Sequence, residues 1–272
     1  MPELPEVETV LRTLEGMIKD RRIEDILVLY PKIIEDDIDD FKHKLIGQSF
    51  RNFKRRGKYL IFEMDDLALV SHLRMEGKYF YLDGEKPYDK HVHIIFKLDN
   101  GKTLQYHDVR KFGRMYLSPI KDKYEIADLG PEPFDRSFNV AYAKRYLADI
   151  KRPIKEVLHD QHFVAGIGNI YANEILFASG VHPESICLKL DDEDIQKIVS
   201  NTKKILKKAI KAGGTTIRSY TSSLGVTGRF QLSLMVHGRD KQECLVCGTT
   251  IKKIRVGGRG TYYCEKCQIL KK

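Results

Sequence analysis

The chain opens Met1-Pro2-Glu3-Leu4-Pro5-Glu6-Val7-Glu8-Thr9, M-P-E-L-P-E-V-E-T, and this stretch supports two readings. The first is a helix start. Proline suits the first turn, where its missing N–H has no intrahelical partner, and Glu3, Glu6 and Glu8 suit the positive end of the helix dipole. Val7, Val10, Leu11 and Leu14 continue with the apolar spacing of an amphipathic helix. The second reading is chemical. Residue 2 is small, so the initiator Met1 is expected to be removed, leaving Pro2 with a free secondary amine. An α-amine titrates near ~8, far below a lysine near ~10.4, so a useful fraction is neutral and nucleophilic at physiological pH. Glu3 lies beside that amine and Glu6 one turn on, which puts a nucleophile next to proton carriers. Composition and spacing alone favour the helix start, and the two readings are compatible.

Beyond the helix, short strand-like runs follow one another: Ile23–Tyr30, Ser49–Arg55, Tyr59–Glu63, Leu67–Leu73, Lys78–Leu82, Val92–Leu98, Thr103–Val109 and Arg114–Leu117. Gly57, Asp65-Asp66, Asp83-Gly84 and Asp99-Asn100-Gly101 mark turns between them. This spacing predicts an antiparallel sandwich or barrel. Gly130-Pro131-Glu132-Pro133 reads as a linker. After it the pattern turns helical, over Phe138–Ala148, Ile154–Gln161, Asn169–Ala178 with Gly180 as C-cap, and Asp191–Ala212 ending at Gly213-Gly214. The lysines of the last helix (Lys203, Lys204, Lys207, Lys208, Lys211) read as a solvated face. Residues 215–230 are polar and glycine-containing and read as a loop.

The bulk composition narrows the class. A chain of 272 residues with 42% hydrophobic and 31% charged residues is globular and long enough for more than one domain. No run approaches a membrane span and no signal-peptide pattern opens the chain, so a cytoplasmic address is expected. A net charge of +9 favours a polyanionic partner such as DNA or RNA. With no Trp, any base stacking falls to Tyr, Phe or Arg.

The most specific local signal is at the far end. Cys244-x-x-Cys247 and Cys264-x-x-Cys267, sixteen residues apart, have the spacing of a four-thiolate zinc ribbon or finger. Two disulfides are the alternative, which a cytoplasmic address disfavours. Four protein ligands leave no open position for substrate, so one structural Zn2+ is expected. Cys187 is left over as an incidental thiol. Lys252, Lys253, Arg255 and Arg259 fall on a hairpin between the knuckles, with Gly257-Gly258-Arg259-Gly260 at its tip. A glycine-flanked arginine there can approach a phosphate backbone, and a solvated turn is the alternative.

Three separated stretches, P-E-L-P-E-V-E-T, G-I-G-N-I-Y-A-N-E (Gly166–Glu174) and the cysteine ribbon with G-R-G-T-Y-Y-C, together resemble formamidopyrimidine-DNA glycosylase, a bacterial base-excision repair family. R-R-G-K-Y-L (Arg55–Leu60), S-H-L-R-M-E-G-K-Y (Ser71–Tyr79), D-V-R-K-F-G (Asp108–Gly113) and L-G-P-E-P (Leu129–Pro133) extend the resemblance along the whole chain. The related endonuclease VIII family typically begins P-E-G-P-E, where this chain has Leu4. His237-Gly238-Arg239 and Gln242-Glu243 depart from the family's commoner approach to the first knuckle.

The resemblance implies an α+β multidomain fold: an N-terminal helix with an antiparallel β-sandwich (1–130), a helical helix-two-turns-helix domain (131–230) and a four-cysteine zinc-finger module (231–272). It implies a bifunctional glycosylase and abasic-site lyase that removes oxidised purines, 8-oxoguanine and formamidopyrimidines, from double-stranded DNA as a monomer, with no small-molecule cofactor and no membrane. Pro2 matches the nucleophile, Glu3 the acid that protonates the sugar oxygen, and Glu6 a carboxylate that positions the terminus. Lys58 matches the lysine of base release and β-elimination, and Arg259 the arginine that grips phosphates. Met75, Arg110 and Phe112 match residues that fill the void left by the extruded base, while His72, His91, Lys151, Lys155 and Asn169 match positions at or near the DNA backbone. By composition alone Met75 and Phe112 would be core residues, and Arg110, Lys58 and His91 ordinary surface or strand residues. The alternatives are an endonuclease VIII-like enzyme for oxidised pyrimidines and a non-catalytic zinc-ribbon nucleic-acid-binding protein.

Overall fold

A computed structural model describes residues 1–121, 124, 126, 128–215 and 228–272. The chain forms two compact units, one from Met1–Tyr124 with Gly213–Arg229, the other from Glu125–Ala212 with Phe230–Lys272.

In the first unit, helix α1 (Leu4–Ile18) starts at an extended Glu3, with a proline in its first turn and the Glu6 carboxylate reaching back to the Glu3 N–H at 2.9 Å. That reciprocal capping box satisfies donors the helix cannot pair internally. Val7, Val10, Leu11 and Leu14 lie on its buried face, as the spacing predicts, and Leu4 and Ile18 extend that face at either end. Strand β1 (Ile23–Val28) follows and stops short of Tyr30, because Pro31 leads into a 3-10 turn over Pro31–Ile33.

Helix α2 (Ile38–Leu45) is absent from the expectations drawn from sequence. It is a local construction: Asp37 accepts from the Asp39 and Asp40 amides at 3.0 Å each, acids fill the first turn, and Lys42, His43 and Lys44 fill the last. Only Phe41 and Leu45 are buried, too few positions to set up a visible period.

The remaining strands are β2 (Asn52–Arg56), β3 (Tyr59–Glu63), β4 (Leu67–His72), β5 (Lys78–Asp83), β6 (Val92–Leu98), β7 (Lys102–His107) and β8 (Arg114–Pro119). They make two four-stranded sheets, ordered β1-β6-β7-β5 and β2-β3-β4-β8, with every pairing antiparallel. One core draws on both sheets and both helices, among them Leu11, Phe41, Phe50, Leu60, Phe62, Phe96 and Tyr106. Phe62 meets Phe50 and Phe53 edge-on at 5.8 and 5.7 Å, and truncating such a ring to Ala typically costs about 3–5 kcal/mol.

The second unit holds α3 (Val140–Leu147), α4 (Ile154–His159), α5 (Asn169–Ser179), α6 (Asp192–Lys211) and a hairpin of β9 (Lys252–Val256) and β10 (Arg259–Tyr263). Helix α5 is buried almost all round and ends at Gly180, whose φ of +71° closes the last turn. Its N-cap is Gly168, with Asn169 already inside the helix, so the Asn side chain is not spent on capping. Helix α6 opens with an Asp191/Asp194 capping box and ends with Lys208 and Lys211 in its last turn. Phe138, Leu158, Phe163, Tyr171, Leu176 and Leu206 belong to the main core, and a smaller cluster joins Phe177 and Val236 to Cys244, Ile251 and Cys264. Of the loop expected at 215–230, residues 216–227 lie outside the described residues. Among the described residues no helix is long and apolar enough to cross a membrane.

Candidate functional site

In the first unit, Pro2 is buried, and Glu3, Glu6, Lys58 and His72 are all nearly inaccessible. Lys58 follows the Gly57 turn between β2 and β3. The Arg55 guanidinium fixes that turn against α1, donating to Glu8 at 2.8 Å and to the Gly57 carbonyl at 3.0 Å. Burial pushes the Glu8 carboxyl up, but Arg55 and Arg12 outweigh it and hold the group below its ordinary range.

Glu6 is the node of this region. One carboxylate oxygen accepts from the Glu3 amide, and the other accepts from the Thr215 amide at 2.7 Å and the Thr215 hydroxyl at 3.0 Å. Gly214 makes the approach possible: its φ is +76°, and a Cβ there would lie 2.7 Å from Glu6 Oε1.

The terminal amine, on Met1 in this chain, is pushed below its ordinary value by burial; the Lys58 charge acts in the same direction, while Glu3, Glu6 and Glu76 oppose it. His72 is pushed down to about 3 by burial, helped by the Arg74 and Lys58 charges, so it stays neutral. Its Nδ1 accepts from the Arg74 amide at 2.9 Å.

On the same unit, Met75 is half-buried and Arg110 and Phe112 are exposed, with the Arg110 guanidinium 4.9 Å from the centre of the Phe112 ring. Phe112 is 48% exposed, so it is not the core residue that composition suggests. His91 is half-buried, and its amide donates to Asp89 at 2.7 Å.

In the second unit, Lys155 is 2% exposed. Its ammonium donates to Asn169 Oδ1 at 2.7 Å, Thr261 Oγ1 at 2.5 Å and the Gly260 carbonyl at 3.4 Å. The Asn169 amide donates to the same carbonyl at 3.1 Å. The α5 start and the hairpin are thereby bonded together through one buried cation. Gly257 and Gly258 both take positive φ, which turns the hairpin tightly and leaves Arg259 exposed. Arg152, Lys155, His159 and Arg259 line a groove beside it. Lys151 is exposed.

Three residues without a role in the sequence reading reinforce the join. Glu174, 3% exposed, accepts from the Met235, Val236 and His237 amides at 2.8, 3.0 and 2.8 Å. Asn173 and His237 Nδ1 are 2.8 Å apart. Burial pushes His237 down to about 4, with the Lys155 and Lys253 charges adding to it, and its ring packs on Tyr262. The signal was present: an acid inside a mostly apolar helix that is buried almost all round must be satisfied by something outside it.

Cys244, Cys247, Cys264 and Cys267 present four sulfurs within 4.8 Å of one another. Two of the pairs are 3.9 and 3.4 Å apart. A tetrahedral zinc with Zn–S of about 2.3 Å needs edges of about 3.8 Å, so the cluster fits one ion. Each knuckle is already folded: the Gly248 amide donates to the Cys244 carbonyl at 2.9 Å, and the Cys264 amide donates to the Gln268 side chain at 2.9 Å.

Three family models match in chain order: the formamidopyrimidine-DNA glycosylase N-terminal domain over residues 1–115, the H2TH domain of the same enzymes over 129–221, and the zinc finger found in FPG and IleRS over 241–269. The formamidopyrimidine-DNA glycosylase of Bacillus subtilis is 48% identical with both chains fully covered, and that of Oceanobacillus iheyensis is 46% identical with 98% of each covered. Among solved structures, a Lactococcus lactis FPG mutant in complex with Fapy-dG containing DNA superposes with a TM-score of 0.93 at 41% identity, covering 98% of this chain and 99% of that one. The Lactococcus lactis protein in complex with abasic-site DNA gives 0.92 at 40% identity, covering 98% and 99%.

Proposed function

This chain belongs to the formamidopyrimidine-DNA glycosylase family, and on that footing we propose how its residues carry out damaged-base excision and strand cleavage. The observation that carries the reading is the N-terminal site: a buried Pro2 at the start of a capped helix, with Glu3, Glu6 and Lys58 buried in the same unit.

The enzyme removes damaged bases from duplex DNA and acts as an abasic-site lyase. The damaged nucleotide must leave the stack before its sugar can be reached. Removal of Met1 puts the terminal amine on Pro2, whose nitrogen attacks C1′ as the bond to the base breaks and the base leaves with a proton. Glu3 protonates the sugar ring oxygen, and the ring opens to an iminium on the proline nitrogen. That cation takes up the electron pair released when the C2′ proton is lost, so the 3′ phosphate leaves by β-elimination. Loss of the 5′ phosphate by δ-elimination follows, leaving a one-nucleotide gap. Lys58 serves base release and β-elimination, and Arg259 holds the phosphates around the lesion. Oxidised purines, 8-oxoguanine and formamidopyrimidines, are the substrates.

Met75, Arg110 and Phe112 occupy the void that the extruded base leaves. Met and Phe offer apolar faces to the neighbouring bases, and Arg bonds the orphaned cytosine. His72, His91, Lys151, Lys155 and Asn169 serve the backbone. For Lys155 the service is indirect, since its ammonium organises Asn169 and the hairpin from beneath. The four cysteines hold one structural zinc, which fixes the hairpin carrying Arg259. Work on chromosomal DNA fits a cytoplasmic, nucleoid-associated address.

Borohydride reduction during reaction with an 8-oxoguanine:cytosine duplex tests this reading. Protein verified to begin at Pro2 should form a covalent adduct with the DNA; absence of that adduct would overturn the assignment.

A further inference from the structure

The segment Asp108-Val109-Arg110-Lys111-Phe112-Gly113 exposes four consecutive side chains, Val109 to Phe112, on a backbone tied down from inside. Asp108 itself is fully buried. One of its carboxylate oxygens accepts from the Arg110 amide at 3.0 Å, and the other accepts from the Phe112 and Gly113 amides at 2.9 and 2.8 Å. Its carbonyl accepts from the Lys111 amide at 3.2 Å and from His93 Nε2 at 2.7 Å, and its own amide donates to the His91 carbonyl at 3.0 Å. Lys111 takes a φ of +58°, a conformation that a non-glycine residue holds only when its surroundings impose it. Gly113 admits no larger residue: a Cβ would fall 1.6 Å from the Tyr106 hydroxyl oxygen.

We propose that Asp108 is the positioning residue of the Arg110–Phe112 wedge; this rests on the reading of those two side chains as the groups that replace the extruded base. Side chains that enter a base stack from a loose loop must order that loop at the moment of insertion, and this ordering opposes the unstacking step. A loop whose amides already converge on one buried carboxylate is ordered before DNA arrives. The carboxylate is specific to the task. It offers only acceptors, whereas the amide of Asp108→Asn presents an NH2 either to Phe112 and Gly113 or to Arg110, where a donor then faces a donor. Asp108 touches neither sugar nor base in this role; it acts through the residues it holds.

The test compares Asp108→Asn with Phe112→Ala in two reactions: release of 8-oxoguanine from an 8-oxoguanine:cytosine duplex, and cleavage of a preformed abasic site in single-stranded DNA, which needs no base extruded from a duplex. If the amide variant holds the wedge in only about a tenth of its molecules, duplex excision falls about tenfold. Cleavage of the single-stranded abasic site by Asp108→Asn stays within about twofold, and Phe112→Ala likewise loses duplex excision. Wild-type duplex excision by Asp108→Asn, with Phe112→Ala impaired, overturns the positioning role. Wild-type excision by both variants instead overturns the reading of Phe112 as a wedge. Equal loss of both reactions in Asp108→Asn means a general structural role and also overturns the proposal. Should Asp108→Asn fail to fold, amide exchange in the wild-type protein decides: the Phe112 and Gly113 amides should exchange slowly beside their exposed side chains, and rapid exchange counts against the inference.

Discussion

Glu6 and Thr215 are 209 positions apart in sequence, yet one oxygen of the Glu6 carboxylate accepts both the amide and the hydroxyl of Thr215. The other oxygen holds the Glu3 amide at the start of α1. A single buried acid therefore ties the residue beside Pro2 to Thr215, and it does so through acceptor capacity that no neutral side chain of the same size provides.

Glu6→Gln should therefore be costly although it conserves shape. The amide nitrogen must face either the Glu3 amide or Thr215, donor against donor. A loss of about 1–3 kcal/mol is expected for such an unsatisfied buried arrangement. Thermal or urea unfolding measures it, and a variant as stable as wild type would refute the role given to Glu6. Slower borohydride trapping should accompany the lost stability.

The nucleophile can be isolated from binding. Pro2→Gly keeps only a primary amine, and protein that retains Met1 keeps no free amine on Pro2. Both should trap less DNA under borohydride while their affinity for lesion duplex, read by fluorescence anisotropy, persists. Undiminished trapping by either form would count against Pro2.

His72 sets a pH dependence of stability. Its ordinary value is 6.5, and burial takes it to about 3 in the folded protein. Between those values the unfolded chain binds a proton that the folded chain does not, so stability rises with pH across this window. The contribution is complete above about pH 6.5 and is lost as pH falls towards 3, by at most about 1.4 kcal/mol per pH unit. His72→Gln, which can still accept from the Arg74 amide, should decline less between pH 7 and pH 5 in urea titrations. Parallel declines in the two proteins would rule this out.

Glu174→Ala removes the acceptor for three amides in one segment. Stranding buried donors costs about 1–3 kcal/mol each before relaxation and water entry, so the second unit should lose several kcal/mol. Residues 235–237 precede the first cysteine knuckle, so the variant should also release zinc faster to a chromogenic chelator. Unchanged unfolding and unchanged zinc release would show that these bonds are replaceable.

Zinc removal should abolish tight binding of lesion DNA. Without the ion, the four thiolates no longer hold the β9–β10 hairpin, and Arg259 loses its platform. Chelated protein that still binds lesion duplex as tightly as the zinc-loaded form would disprove this dependence.

How far the sequence reveals these features depends on the range of the interactions. Strand β3 and strand β6 begin and end where alternation and turn residues predict, and the four cysteines announce a metal centre by spacing alone. Helix α2 escapes because a capped two-turn helix with two buried residues has no measurable period. The site behaves in the same way. Pro2, Glu3 and Lys58 are legible only through motif resemblance, since a buried lysine after a glycine turn looks in sequence like any strand-edge lysine. The most distant partners of Glu6, Lys155 and Glu174 lie 209, 106 and 61–63 residues away, and no local pattern carries such information. Phe112 reads as core by composition because exposure of an aromatic ring is decided by the anchored loop beneath it.

The division of the chain has a consequence for its biosynthesis. The first unit includes Gly213–Arg229, so it is incomplete when Tyr124 leaves the ribosome. At roughly 5–20 residues per second, Thr215 follows only after several seconds, with helices α3 to α6 emerging in between. Until then the Glu6 carboxylate lacks the two donors of Thr215. Maturation of the nucleophile's surroundings is thus a late event of translation, although the nucleophile belongs to the first residues made.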